Sequence, residues 1–416
     1  MPVQGPVVAL WALVAMSAVA FGTAFWRRWA PPLWVALAVG LGVRAVTVAL
    51  SYDLTPRDVA IYFQNAGRLV LDGADPLTGL PRFQWNFLPL MPYIFGAEIS
   101  TGLPWQVAGK IAPVLADLAM IVLLMRLGGA ERGSLAAFLY AVCPLAILVT
   151  AVHGQVEPVS LALGVGALLA ARRGGPGWAG LLAGLAVASK TWPVILIPGI
   201  LREVPVRRWW AVTAGAVVAP LLLLASIPLF LHDSVREAVH VLTSYRSLVG
   251  RWGWAGVLNY LDVAGFGYAG PKIDTIQRVG TLVTAVAVLS VLVLFRKADA
   301  IALTAALLLA FLAVTAGFGV QYLLWPLPFV LLLQKRLGLV WALLASGWAA
   351  FFYLVTVPYP KLNYFTEDTL RWSSLLVIAA GVAAIPWRDR SKEATQPVIA
   401  APKPDQLPRK PVPAGG

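Results

Sequence analysis

Long apolar stretches recur along this chain, and they restrict its fold more than any other feature. A helix of about 20 apolar residues crosses the hydrocarbon core of a bilayer. Stretches of this kind, some of them shorter, lie at 6–26, 31–50, 111–127, 134–152, 156–171, 178–200, 209–231, 279–295, 300–318, 321–334, 338–357 and 371–387. Only 12% of the residues are charged, against about 25% in soluble domains. The sequence predicts an all-α integral membrane protein of about 11–13 transmembrane or re-entrant helices.

The distribution of charge predicts the topology. Basic residues dominate the tail from 388 and the short connections at 27–30, 128–133, 172–177, 201–208, 296–299 and 335–337. Acidic and basic residues balance in the longer loops at 51–110, 232–278 and 358–371. The positive-inside rule places the basic side in the cytoplasm and the long loops outside. This bias also accounts for the net charge of +13 without a nucleic-acid partner.

These observations define the expected organisation. We expect one multi-pass domain over residues 1–387 in the cell (plasma) membrane, with an extra N-terminal helix at 6–26 and the N-terminus outside. Residues 388–416 are rich in Pro and charge and have no apolar period, so we expect a disordered, basic, cytoplasmic tail. The single Cys143 excludes a disulfide framework.

The apolar stretch 178–200 conflicts with this topology if it crosses only once. Basic connections flank it on both sides, and a single crossing would move Arg202, Arg207 and Arg208 outside. A re-entrant hairpin bent at "SKTWP" (189–193) keeps both ends in the cytoplasm, because Pro193 interrupts helical hydrogen bonding. The hairpin is the favoured interpretation, and a single span is the alternative.

The stretch "TPRDVAIYFQNAGRLVLDGADP", at 55–76, is charged although an apolar span precedes it. Thr55 suits a helix cap and Pro56 the first helical position. Polar and apolar residues fall on separate faces, so we expect an amphipathic helix on the outer membrane surface, apolar face down. Asp58 in the first turn has two interpretations, a capping-box carboxylate or a general base at the water–lipid boundary.

Among the charged residues within predicted spans, four stand out: Arg44, Asp117, Glu157 and Lys190. Charged groups in the hydrocarbon are costly and commonly functional. Arg44 either snorkels outward or forms a structural ion pair with Asp117. Lys190, at the expected hairpin bend, either binds an anion such as a phosphate or snorkels at a tilted helix end.

Two further outer segments carry residues suited to polar ligands. "AVHGQVEPVS" (151–160) contains His153, Gln155 and Glu157, and one His with one Glu is too little for a metal site. The segment 237–262 sets Arg246 and Arg251 among Tyr and Trp residues. That mixture suits sugar stacking with phosphate contact, and it equally suits an interfacial aromatic belt.

Five stretches occur in an order that resembles a known group of enzymes: "RDVAIYFQNAGRLVLDGADPL", "FQWNFLPLMPY", "AGKIAPVLADLAMIVLLMRLGGAERG", "CPLAILVTAVHGQVEPVSLALG" and "WAGLLAGLAVASKTWPVILIPGIL". They are similar to the polytopic GT-C glycosyltransferases. The similarity is strongest to dolichol- or polyprenol-phosphate-mannose-dependent mannosyltransferases, including GPI mannosyltransferase I-like enzymes and bacterial mannosyl- and arabinofuranosyltransferases. It covers residues 38–205, and later only "FGVQYLLWPLPF" (318–329) matches.

The resemblance implies a GT-C-like bundle and a hexosyl or pentosyl transferase, with mannose as the expected sugar. It implies that Asp58 activates the acceptor and that His153, Gln155 and Lys190 contact a polyprenyl-phosphate-linked donor. Many relatives carry an Asp-x-Asp pair where this chain has Pro56 before Asp58, which leaves the need for a divalent metal open. The implied partners are membrane lipid, the donor lipid and a glycan or glycolipid acceptor of the cell envelope.

The sequence thus predicts an inverting glycosyl transfer at the outer face, with Asp58 as base. Glu157, Arg246 and Arg251 are further candidates for donor binding, and no cofactor is expected. The alternative is a transporter or flippase for a lipid-linked or anionic substrate, with Arg44, Asp117 and Lys190 along its path. That alternative predicts internal repeats and short outer loops, whereas no repeat is apparent and the loop 51–110 is long.

Overall fold

The computed structural model describes residues 4–81, 84–244, 249–263, 272–359 and 363–387. Within these ranges the secondary structure is helical and contains no strand. The α-helices are α1 Gln4–Trp26, α2 Leu33–Leu50, α3 Gln64–Leu71, α4 Pro76–Gly79, α5 Leu90–Ile99, α6 Trp105–Ala108, α7 Ile111–Val142, α8 Pro144–Ile147, α9 Glu157–Arg172, α10 Pro176–Ser189, α11 Ile197–Arg202, α12 Trp209–Phe230, α13 Val235–Ser244, α14 Gly253–Val263, α15 Ile273–Leu294, α16 Ala300–Val314, α17 Leu327–Leu333, α18 Arg336–Phe351 and α19 Asn363–Ala384.

The fold is the predicted all-α integral membrane class. In the described residues, six helical stretches are long and apolar enough to cross a membrane. Two of them, in α12 and α15, expose many large apolar side chains, as a lipid-facing helix does. The N-terminal helix α1 packs on α2 and α7 and so belongs to the same bundle. The tail at 388–416 lies outside the described residues.

Helix α7 contains the break that the sequence predicts at 128–133. Gly129 has φ 74° and ψ −170°, which are not helical angles and favour glycine. After this break the chain folds back on itself. The evidence is the hydroxyl of Thr150, which follows the second half of the helix and donates to Asp117 Oδ2, in the first half, at 2.9 Å. The two halves therefore form a hairpin.

The segment after α9 also folds back on itself. α10 returns antiparallel to α9, and Ser160 and Ser189 hydroxyls lie 2.7 Å apart near the turn. A 3₁₀ segment, Trp192–Leu196, and α11 then lead back, and Arg172 pairs with Glu203 at 2.6 Å. Both ends of this segment consequently lie at the same end of the bundle, as the hairpin interpretation requires.

The first long loop contains the expected amphipathic helix, but its apolar face does not rest on lipid. A π-helix, Asp58–Phe63, continues into α3, and Gly73 ends it with φ 74°. Phe63 stacks on Phe95 of α5 with centroids 5.1 Å apart. The buried cluster around them includes Trp85 and Trp105. The expectation of a lipid-facing surface is wrong because α5 folds under the helix and supplies this apolar partner.

Candidate functional site

Asp58 lies at the centre of a polar cluster on the end of the bundle that carries the first long loop. His153 Nε2 is 3.0 Å from each Asp58 carboxylate oxygen, and Gln155 Nε2 donates to Oδ2 at 2.6 Å. The backbone N–H of Val59 donates to Oδ1 at 3.0 Å. The carboxylate therefore contacts His153 and Gln155, whereas a capping box would pair it with Thr55. The side chain of Asp58 remains 33% exposed.

His153 is fixed from both sides of its ring. Its Nδ1 is 2.7 Å from the hydroxyl of Tyr353, and Tyr353 is fully buried. With the other nitrogen held in this way, the Nε2–H points at Asp58 and donates to it. Nothing in the local sequence marks Tyr353, because it lies 200 residues after His153 inside an apolar stretch.

Backbone irregularities bring these three side chains together. Asp58 begins the π-helix Asp58–Phe63, His153 ends the π-helix Leu148–His153, and Tyr353 lies in the π-helix Phe352–Thr356. Such turns are rare and frequently occur at functional sites. Gly154 follows His153 with φ 81°, and a Cβ there would come within 3.0 Å of the Lys110 side chain. Glycine at this position lets the chain turn so that His153 and Gln155 both face Asp58.

The cluster keeps Asp58 ionised. Burial raises the pKa of its carboxyl, but the charge and hydrogen bond of His153, the Val59 N–H and the charge of Lys190 together outweigh burial, so the pKa falls below its usual 3.8. An ionised carboxylate held by hydrogen bonds and still partly exposed can accept a proton from a bound hydroxyl.

Lys190 and Glu157 form a second part of the same cluster. Lys190 Nζ donates to Glu157 Oε1, and Glu157 is fully buried. The ammonium group also lies 5.7 Å from the ring centroid of Phe87 and 6.0 Å from that of Tyr322. The hairpin turn produces this arrangement, because α10 ends at Ser189 and delivers Lys190 to the first turn of α9.

Aromatic residues continue from Lys190 into a stack. Trp192 stacks on Trp325 with centroids 4.2 Å apart and planes at 8°, and the ring centroid of Tyr322 also lies 4.2 Å from that of Trp325. Tyr322 and Trp325 belong to the "FGVQYLLWPLPF" stretch, so the family resemblance contained a signal for them. Phe87 had none beyond its place in "FQWNFLPLMPY".

Arg44 and Asp117 form a separate, fully buried ion pair. Arg44 Nε donates to Asp117 Oδ2 at 2.7 Å, and its guanidinium also donates to the carbonyls of Gly40 and Ala141. Asp117 further accepts hydrogen bonds from Tyr140 and Thr150. Both charges are thus paired with protein groups, as expected for a structural ion pair. This arrangement gives no support to a transport path through Arg44 and Asp117.

Arg251, from the outer segment 237–262, has a partner outside the Asp58 cluster. It pairs with Glu367 at 2.9 Å, and its side chain is 72% exposed. Arg246 lies outside the described residues. The structure therefore brings together Asp58, His153, Gln155, Glu157 and Lys190 from the set of donor and catalytic candidates, and it adds Tyr353.

Comparison with known proteins decides the class. The model of Glycosyltransferase family 87 matches residues 88–317, more than half of the chain. The chain belongs to glycosyltransferase family 87. Because this is a GT-C-like polytopic family, the expected class of enzyme is confirmed. No curated protein matches the chain.

The family 87 match includes the donor-binding candidates of the site but not Asp58 or Tyr353. His153, Gln155, Glu157 and Lys190 fall within the matched residues, whereas Asp58 precedes them and Tyr353 follows them. The matched region therefore supplies the donor-binding candidates, and chain segments on either side of it supply the carboxylate and the hydroxyl that flank His153.

Proposed function

We propose that this family 87 glycosyltransferase transfers a sugar, mannose, from a polyprenyl-phosphate-linked donor to a glycan or glycolipid acceptor. The reaction inverts the anomeric configuration. Asp58 takes the proton of an acceptor hydroxyl as the hydroxyl oxygen bonds to the anomeric carbon. The bond from that carbon to the phosphate oxygen breaks, and the polyprenyl phosphate leaves with the electron pair.

The observation that carries this proposal is the state of Asp58. Its carboxylate is ionised, oriented by His153 and Gln155, and open to solvent over a third of its surface. A carboxylate with only a structural role in a cap needs no partners beyond backbone N–H groups of its own helix, such as the Val59 N–H that Asp58 also accepts. Here two side chains from a distant part of the chain orient it, which is the arrangement of a general base supported by a second layer of contacts.

Polar atoms without protein partners support a polar substrate beside Lys190. Four buried atoms in this region lack a hydrogen-bond partner among the described residues: Gln155 Oε1, Glu157 Oε2, Trp192 Nε1 and Trp325 Nε1. Buried polar groups left unpaired are destabilising, by about 1–3 kcal/mol each. The hydroxyls of a sugar both donate and accept, so they suit unpaired atoms of both kinds.

Lys190 is the group we assign to the donor phosphate. Charge builds up on the leaving phosphate in the transition state, and a positioned ammonium group stabilises it. Glu157 keeps Lys190 in place between substrate cycles. A lipid-borne donor holds its phosphate at headgroup depth, and we place that phosphate on the outer face, following the positive-inside assignment.

Transfer assays with the purified full chain test the base assignment. The assay supplies radiolabelled polyprenyl-phosphate-mannose in lipid vesicles with a membrane lipid extract as acceptor. We expect Asp58→Asn to lower the rate by about 10²–10⁴-fold, the usual contribution of a general base. Asp72→Asn is the matched control, because Asp72 is an exposed carboxylate at the other end of the same helix.

Three results would contradict the proposal in different ways. Asp58→Asn with wild-type rates removes Asp58 from the base role. Equal losses in Asp58→Asn and Asp72→Asn show a general effect of charge on the loop. Wild-type protein that carries the labelled donor across the vesicle membrane without forming product would favour a carrier of the lipid over a transferase.

A further inference from the structure

The segment 105–112, which contains α6 and the first residues of α7, lies behind the turn that carries Asp58. Trp105 Nε1 donates to the carbonyl of Val59 at 2.8 Å, and the N–H of the same Val59 donates to Asp58. The indole is buried and packs edge-on against Phe95, with centroids 5.8 Å apart. Val59 is therefore held at both of its backbone polar groups, which fixes the residue that orients the carboxylate.

Lys110, in the same segment, lies behind the turn that carries His153. Its Nζ donates to Ser51 Oγ at 3.1 Å, and the Ser51 hydroxyl donates to the carbonyl of Ala151 at 3.0 Å. Ala151 belongs to the π-helix that ends at His153. These two hydrogen bonds connect the start of α7 to that π-helix through the end of α2.

Gly154 lies where these contacts meet. A Cβ added at this position would lie 3.0 Å from Lys110 Cγ and 3.4 Å from Val59 Cγ1. Because Gly154 directly follows His153, the backbone of the His153 turn packs against both Val59 and the aliphatic part of Lys110. A displacement of Lys110 would reach both turns through direct contacts.

The amine of Lys110 makes a bond that an apolar side chain could not make. Lys110 is buried, its Nζ bonds to Ser51, and no carboxylate among the described residues pairs with it. A buried amine with unpaired donors costs free energy. A Met side chain would fill much of the same space without that cost, so the bond to Ser51 is what distinguishes lysine here.

We propose that Trp105 and Lys110 are positioning residues for the transfer reaction. They fix the turn of Asp58 relative to the turn of His153, so that the imidazole N–H stays on the carboxylate while the acceptor hydroxyl binds. Each acts through the backbone behind its turn and not by contact with a substrate. The proposal rests on the base role of Asp58 proposed above.

The pH–rate profile reports this positioning. The titratable groups that act on the Asp58 cluster are His153, Lys190, Tyr353 and Glu157, and Lys190 is paired with Glu157. If His153 moves away from the carboxylate, the effect of burial gains weight and the pKa of Asp58 rises. A base must be ionised to act, so the acid limb of the profile then moves upward.

Three single substitutions remove the contacts one at a time. Trp105→Phe removes the indole N–H, Lys110→Met removes the amine, and Ser51→Ala removes the hydroxyl between Lys110 and the π-helix. Each should raise the acid limb by about half a pH unit or more, less than His153→Asn does. Each should lower kcat by about 3- to 30-fold and change KM for the donor less than about twofold. Ser51→Ala and Lys110→Met interrupt the same pair of bonds, so their combination should add little.

Combination with His153→Asn separates positioning from a general loss of structure. Without the imidazole, Lys110→Met and Trp105→Phe should move the acid limb by no more than about 0.2 pH unit. Lys110→Met should keep or raise the unfolding temperature. Trp254→Phe is the matched control, because it removes an indole hydrogen bond to the carbonyl of Val314 and should leave the acid limb unchanged.

Infrared titration measures the same pKa without substrate. The band of the protonated carboxyl, assigned to Asp58 by its loss in Asp58→Asn, should appear at a higher pH in Trp105→Phe and Lys110→Met than in the wild type. A wild-type titration and acid limb in both variants would overturn the positioning role, and so would equal shifts with and without His153. A wild-type transfer rate in Asp58→Asn would instead refute the base role, whereas the infrared pKa tests the positioning contacts on their own.

Discussion

Replacement of His153 by Asn should move the acid limb of the pH–rate profile upward. In the wild type, burial raises the pKa of Asp58, and His153 makes the largest contribution against it; together with the Val59 N–H and Lys190 it holds this pKa below 3.8. Asn is too short to reach both Asp58 and Tyr353, so burial would then dominate and raise the pKa. A base must be ionised to act, so the variant loses activity as the pH falls through the higher pKa.

The size of the shift follows from the contact that is lost. His153 Nε2 lies 3.0 Å from both oxygens of Asp58. A hydrogen bond to a charged group contributes about 1.5–3 kcal/mol, and one pKa unit corresponds to about 1.4 kcal/mol. The acid limb should therefore rise by about one to two pH units. Initial rates at low donor concentration, measured between about pH 4 and pH 8, report the pKa of the free enzyme.

Two further variants distinguish charge from position. His153→Gln keeps an N–H within reach of Asp58 but no charge, so its shift should be smaller than that of His153→Asn. Tyr353→Phe leaves the imidazole but removes the hydroxyl that orients it, and it should shift the limb in the same direction by less. A His153→Asn profile that keeps the wild-type acid limb while its maximum rate falls would refute the electrostatic role of His153.

Three other changes test the remaining contacts. Lys190→Met leaves the buried charge of Glu157 unpaired and should lower the unfolding temperature. The double variant Lys190→Met with Glu157→Gln should regain the wild-type unfolding temperature but not the wild-type transfer rate. Recovery of both quantities would make the ion pair purely structural. Asp117→Asn leaves Arg44 buried without its counterion and should cost about 3–5 kcal/mol in the free energy of unfolding, seen as a lower unfolding temperature, and a neutral result would refute the tight pairing. Burial raises the pKa of Asp75 to about 6, so stability should fall as the pH rises from about 4 to 6; Asp75→Asn should raise the unfolding temperature at pH 8 but not at pH 4, and equal effects at both would contradict this.

The sequence predicted the bundle because apolar length and charge bias are local properties. Most helices lie close to the expected stretches, but α15 and α19 begin six and eight residues earlier than predicted, and 134–152 is divided among the end of α7, α8 and a π-helix. The bend at 189–193 was also accessible, since Pro193 and flanking charges are visible without tertiary contacts. The orientation of the apolar face of α3 was not, because its partner α5 is a short, proline-containing stretch without a helical period of its own.

The site was predicted only in part, because its contacts join residues that are far apart in the sequence. Asp58, His153 and Lys190 attract attention as polar residues in or near apolar surroundings, but nothing local shows that Lys190 meets Glu157. Tyr353 is an ordinary aromatic residue of a span until the fold places its hydroxyl on His153. Arg251 had a suitable composition around it, yet it pairs with Glu367. Charge and type mark candidates, whereas long-range packing selects among them.

The convergence of three π-helices gives these contacts a common structural basis. A widened turn inside a helix shifts the direction of the side chains that follow it relative to a regular α-helix. Asp58, His153 and Tyr353 each lie in such a turn, and they form one continuous chain of hydrogen bonds across segments 95 and 200 residues apart. Regular helical turns would be more stable locally. The three π-helical turns persist because contacts with the surrounding helices compensate for this local cost. A chain that needed only a rigid membrane bundle would gain nothing from them, whereas an enzyme that must hold a carboxylate at a fixed position gains its orientation.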